Sequence, residues 1–129
     1  MTENNDQTAT ARLGGVVLGS TDPERLHAWY RAAFAPEAEP GGPGLVLEVG
    51  GSTLIFERRD DVAPKAAEPG RALLTFQVDD IKAAAARLDE LGVRWIRPVS
   101  DPAPGDPVVL ATVEDPDGNY PQILQALNG

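Results

Sequence analysis

The chain has 129 residues, 42% of them hydrophobic and 24% charged, which suits one compact domain with a real core and leaves no apolar run near the ~20 residues of a membrane span. A formal net charge of −9, with eleven scattered basic residues, offers no basic face to a phosphate backbone, so neither nucleic acid nor a membrane is an expected partner. With no cysteine, disulfides, thiolate nucleophiles and cysteine-based metal sites are excluded.

Residues 1–11 are polar and carry neither a basic n-region nor an apolar h-region, which predicts a disordered tail and a cytoplasmic protein. A strand is expected from Leu13 to Gly19. Thr21 and Glu24 then have capping-box spacing, Pro23 suits a first helical turn, and Leu26, Trp29, Tyr30, Ala33 and Phe34 recur with helical period. Residues 35–44 are rich in Pro and Gly, with room for a short edge strand at most. Leu45 to Val49 and Thr53 to Glu57 read as a hairpin around Gly50-Gly51.

After a linker at 59–70 the pattern restarts. Ala72 to Val78 is a predicted strand, Asp79-Asp80 opens a helix striped by Ile81, Ala84, Ala85, Leu88 and Leu91, and Gly92 stands where a left-handed cap belongs. Strands are expected at Val93 to Arg97, Val108 to Val113 and Tyr120 to Leu127, with a Pro-rich loop between the first two. Laying Leu18 over Phe76 aligns the two helix starts, and laying Leu54 over Gln122 aligns the strand ends, so the halves read as copies (12–58 and 71–127).

The last turn, Asp115-Pro116-Asp117-Gly118-Asn119, leads directly into the final strand. With the tandem repeat, it resembles the C-terminal motif of the vicinal oxygen chelate superfamily, which includes glyoxalase I, bleomycin-resistance proteins and extradiol dioxygenases. The resemblance implies an α+β fold in which two β-α-β-β-β modules form a concave mixed sheet, and a cup floor with up to four metal ligands. Those positions fall here on Gly15, Leu54, Leu73 and Gln122, and Gln122 stands where the family usually has a glutamate. One neutral amide cannot hold a divalent ion alone, so no metal and no other cofactor is expected. The family's Lewis-acid chemistry would then have no ion to act through.

Other chemistry is thin in the sequence. His27 flanks the apolar helix stripe and reads as incidental. Ser20, Ser52 and Ser100 have no evident His-Asp partners, while Asp22, Asp79 and Asp80 are explained as helix caps. Glu57 and Glu114 are conceivable general bases but read more simply as a strand end and a turn residue. No catalytic residue is assigned. Strand parity instead places Gly15, Val17, Gly19, Leu54, Leu73, Thr75, Gln77, Tyr120 and Gln122 in a ligand cup. Trp95 and Arg97 are expected to share a strand face, from which they would stack on a planar ligand, with Trp95 as core filling the competing reading.

These features predict a metal-free protein similar to bleomycin-resistance-type proteins. It would bind a small organic ligand, apolar or aromatic in part and cationic or neutral in charge, and by family analogy it would be a homodimer. The competing readings are a glyoxalase- or dioxygenase-like enzyme of the same superfamily and a regulatory module whose cup is filled by its own side chains.

Overall fold

The computed structural model of the chain describes residues 10–39 and 45–127. Most of the predicted tail at 1–11 lies outside these residues, as do residues 40–44 of the first Pro-rich stretch, whose described part, 35–39, forms turn rather than strand. The elements run β1 (Val16–Ser20), α1 (Pro23–Phe34), β2 (Leu45–Val49), β3 (Ser52–Arg58), β4 (Thr75–Gln77), α2 (Ile81–Glu90), β5 (Arg94–Arg97), β6 (Val108–Glu114) and β7 (Gln122–Ala126). One sheet has the order β1-β3-β2 and the other β4-β7-β6-β5, so the modules repeat with one strand fewer described in the first. Neither helix is long and apolar enough to cross a membrane.

Local chemistry explains the element ends. Helix α1 is capped by Asp22 rather than by Thr21: the Asp22 carboxylate accepts from the Arg25 N–H, and Glu24 pairs with Arg58 at 2.8 Å instead of closing a capping box. Asp80 caps α2 in the same way, and Gly92 takes φ +71° after it. Both Gly50 and Gly51 have positive φ, as a two-residue hairpin turn between twisted strands requires.

The core has two clusters, one beneath each sheet, and both include Trp29, Phe34 and Phe76. Phe34 of α1 stacks on Phe76 of β4 with ring centroids 3.9 Å apart, so the first module's helix is packed into the second module. Alternation in β4 turns Phe76 inward and leaves Thr75 and Gln77 exposed, as parity predicts. The first module departs from prediction. Val16 pairs with Leu54 and Val17 with Ile55, and Leu54 is 4% exposed in the core, whereas Val17 is 52% exposed. Ile55, not Leu54, is thus the counterpart of Gln122, which pairs with Thr75 in the second module. The alignment of β1 with β4 holds, whereas that of Leu54 with Gln122 is one residue out of step, and one step exchanges the two faces of a strand.

Trp95 takes the core-filling place, and the expectation that it shares a face with Arg97 is the second correction. A register shift between Trp95 and Arg97 pairs Trp95 with Val113, on the core face, and Arg97 with Thr112, on the open face. Trp95 packs against the second core cluster and its indole N–H donates to Asp89 at 2.8 Å. The two residues do not share a face.

The Asp-Pro-Asp-Gly-Asn turn joins the modules. The Asp115 carboxylate, in a residue only 3% exposed, accepts from the backbone N–H groups of Asp117 and Asn119, from Asn119 Nδ2, and from the Tyr30 hydroxyl at 2.6 Å. Burial pushes the Asp115 carboxyl above the usual carboxylate range, with these hydrogen bonds acting the other way. Burial, then the neighbouring Asp115 charge, raises the Tyr30 phenol well above its ordinary value. Arg25 and Lys65 both donate to the Pro116 carbonyl, and the Ala66 N–H donates to the Asp117 carbonyl. Gly118, at φ +82°, gives the turn its shape, and a Cβ there would meet the Ala66 nitrogen at 3.3 Å.

Two tests address this arrangement. Leu54→Ala should cost about 3 kcal/mol in urea unfolding, and Ile55→Ala no more than about 1 kcal/mol; the reverse order would show the sequence alignment of the copies to be the correct one. Tyr30→Phe should cost about 2 kcal/mol near neutral pH because it removes a donor from a buried carboxylate. A phenol raised in the folded state contributes stability that is fully present below about pH 10 and is lost as pH rises further. Unfolding at pH values on both sides of that point should therefore show an alkaline loss that is smaller in Tyr30→Phe.

Candidate functional site

The first sheet ends at β1 and the second at β4, and the cleft at their junction is built by three segments. These are the approach to β1 (Leu13 to Val16), the β2–β3 turn (Val49 to Leu54) and the β4 region (Leu74 to Gln77), enclosing about 440 Å³. Four glycines, Gly14, Gly15, Gly50 and Gly51, let the backbone approach the cleft without side chains in the way. Gly15 has the least room: a Cβ would lie 3.1 Å from the Thr53 carbonyl oxygen. Leu54 and Phe76 reach the cleft from the core and form its apolar depth.

Beside the cleft, the open face of the second sheet carries a polar row with one residue from each strand. Thr75 pairs with Gln122, Gln122 with Thr112, and Thr112 with Arg97. The side chains are linked across the strands: Gln122 Nε2 donates to Thr75 Oγ1 at 2.7 Å and the Thr112 hydroxyl donates to Gln122 Oε1 at 3.5 Å. The matching row of the first sheet is Val17, Ile55 and Val46, wholly apolar. Beyond it Arg59 lies over Gly19, where a Cβ would be 2.4 Å from the Arg59 Cδ, and is held there by Glu57 and Asp61.

Of the residues expected in a cup, Gly15, Leu54, Thr75 and Gln77 line the cleft, and Gln122 and Arg97 extend the open face from Thr75. Val17 lies on the open face of the first sheet. Leu73, 41% exposed, precedes β4, and Tyr120 is half-buried ahead of β7; neither is among the cleft walls. Leu54 is a core residue that reaches the cleft from beneath, and Trp95 packs against the core. Thr53, Ile55 and Thr112 were missed. The first two were hidden by the alignment slip, whereas the alternation through Val109, Ala111 and Val113 would have put Thr112 on the open face.

The cation that the resemblance implies does not fit these residues. The positions concerned hold Gly15, Leu73, Gln122 and either Leu54 or its neighbour Ile55, and the single amide oxygen among them is already accepting from Thr112. No three His, Cys, Asp or Glu side chains gather around a common point among the described residues. A hard or borderline divalent ion needs several donors, some of them charged, and the row offers a neutral one.

A search of curated proteins finds no match. Among solved structures, the fosfomycin resistance protein FosX from Mesorhizobium loti is 17% identical with a TM-score of 0.69, covering 92% of this chain and 94% of that one. A variant of FosX from Listeria monocytogenes, in complex with Mn(II) and dihydroxypropylphosphonic acid, is 17% identical with a TM-score of 0.68, covering 88% and 89%. TioX from Micromonospora sp. ML1 is 20% identical with a TM-score of 0.65, covering 90% and 100%. At these identities the structures establish a shared fold. The profile of the glyoxalase-like domain matches residues 15–124, and the chain belongs to that family, within the vicinal oxygen chelate superfamily.

Proposed function

We propose that this protein binds a small organic molecule in the cleft between its modules, without a metal ion, in the manner of bleomycin-resistance-type proteins. The observation that carries the reading is the neutral, hydrogen-bonded Thr75–Gln122–Thr112 row beside an apolar cleft, at the place where a metal-dependent relative would concentrate charge. Such a mixture of apolar area and a few fixed polar groups suits a small-molecule site. FosX, a relative in fold, is named for fosfomycin resistance, which supports an antibiotic or a metabolite as the ligand. The net charge of −9 favours a ligand that is neutral or cationic overall, and the cleft's leucines and Phe76 favour one that is partly apolar or aromatic. By analogy with its family, the protein acts in the cytoplasm as a homodimer.

Elemental analysis of purified protein should find no stoichiometric transition metal, and Gln122→Glu should not create a tight site because the other positions stay without donors. One chelator-resistant Mn, Fe, Ni or Zn per chain would refute the metal-free reading. A thermal-shift screen of cationic and neutral aromatic compounds, beside sugar phosphates and nucleotides, tests the binding function directly. A true ligand at 100 times its Kd should add about 2.7 kcal/mol of stability. Sedimentation at about 50 μM, ample for an interface of ordinary size, should show a dimer, and a strict monomer would remove that part of the proposal.

A further inference from the structure

The two open faces differ in a way that bears on what the site reads. Row for row, Val17, Ile55 and Val46 of the first sheet correspond to Thr75, Gln122 and Thr112 of the second, so the repeat sets an apolar wall against a hydrogen-bonding one. The hydrogens of the polar row can be followed individually. Gln122 Nε2 uses one hydrogen on Thr75 Oγ1, which leaves its second hydrogen and the Thr75 hydroxyl hydrogen free to donate. The Thr112 hydroxyl hydrogen is spent on Gln122 Oε1, and Thr112 is buried. Arg97 ends the row, exposed, and its guanidinium has no hydrogen bond or ion pair among the described residues. Arg25, Arg58, Arg59, Arg71 and Arg94 are each ion-paired, whereas Arg12 and Arg87 share with Arg97 the lack of a side-chain partner among the described residues.

We propose that the Thr75–Gln122–Arg97 row recognises an oxygen acceptor on the ligand, a carbonyl held by Thr75 and Gln122, with Arg97 selecting for a carboxylate in a ligand long enough to reach it. The idea rests on the small-molecule-binding function proposed above and specifies the chemistry of that site. Arg97 is three strand spacings from Thr75, about 14 Å between backbones, so its long side chain meets the far end of a ligand seated on the row. The donor hydrogens of Thr75 and Gln122 supply the positive partner that a cation would otherwise give the carbonyl oxygen, and the apolar row of the first sheet accepts the hydrocarbon part. Orientation follows from this asymmetry: the acceptor end faces the second module. A ligand that is neutral overall remains compatible with the acidic protein as long as any carboxylate it carries lies toward Arg97.

Three probes separate the possibilities: naphthylacetamide, its N-carboxypropyl derivative, which keeps the carbonyl and adds a carboxylate several bonds away, and naphthylethylammonium, titrated into the isotope-labelled full-length chain and followed by NMR. The amide and the carboxylate should shift the Thr75 and Gln122 backbone resonances and the Gln122 side-chain amide, and the neutral amide should bind at least about fivefold more tightly than the ammonium. Thr75→Val combined with Gln122→Leu should weaken the amide probe by about tenfold and bring it level with the ammonium. Arg97→Gln should weaken the carboxylate by about threefold and leave the amide unchanged, a split that a purely structural role would not produce. Thr75→Val alone, at an exposed position, keeps the test open if the double variant does not fold. An ammonium that binds as tightly as the amide, or an Arg97→Gln effect equal for both acceptor probes, would overturn the inference. Shifts confined to the Leu13–Val16 and Val49–Leu54 walls of the cleft, with Thr75 and Gln122 unmoved, would also overturn it while leaving the binding function intact, and the absence of binding by all three probes would count against both.

Discussion

The hydrogen bond from Tyr30 to Asp115 is the constraint on which the arrangement of the modules depends. It joins the first module's helix to the turn that launches the second module's last strand, at 2.6 Å and out of contact with water. A buried carboxylate is costly unless its acceptor sites are filled, and four donors surround this one, three of them from the turn itself and one from across the module boundary. The turn therefore reaches its lowest energy only when α1 is docked. Phe34 stacking on Phe76 adds an apolar contact across the same boundary. Together they fix where β1 and β4 meet, and so they determine the cleft.

A motif associated with a ligand site thus serves here first as a structural joint. The turn's grammar, with proline for a fixed φ, glycine for a positive one and asparagine closing back on Asp115, delivers Gln122 into register with Thr75. The backbone bond from the Gln122 N–H to the Leu74 carbonyl sets that register. Whatever stands at position 122 will consequently be presented at the same point of the open face. In this architecture the side chain at a site can change in character while its position remains fixed by the fold.

Much of this was legible in the sequence because each signal had a single local cause. Helical periodicity from Leu26 to Phe34 and from Ile81 to Leu88 reports burial of one face, and Gly50-Gly51 and Gly92 mark places that need positive φ. The parity of β4 was readable because Phe76 and Val78 flank polar Thr75 and Gln77. In β3 the run Thr53-Leu54-Ile55-Phe56 has apolar residues on both faces, so alternation gave no phase and the copies slipped by one. The bulge that separates Trp95 from Arg97 was invisible for a related reason: a break in register arises from pairing with β6, not from the residues of β5 alone. The links from Tyr30 to Asp115 and from Arg25 to Pro116 are long-range contacts with no local sequence pattern.

The neutrality of the polar row also has a stability side. Gln122 lies between Thr75 and Thr112, and both ends of its amide are used, the nitrogen as donor and the oxygen as acceptor. A glutamate there would keep the bond from Thr112 but would lose the donor that Thr75 now receives, and it would add charge to a protein that already carries −9. Its nearest complementary group in the row is Arg97, beyond Thr112 and two strands away. In a metal-dependent site a cation neutralises such a carboxylate, and the folded protein tolerates the charge for the sake of the ion. With glycine and leucine at the companion positions no ion would be held, so the charge would remain uncompensated. The amide at 122 and the missing ligands at 15 and 73 therefore form one consistent set: once the other donors are absent, the neutral residue is the one that completes the row's own hydrogen bonds.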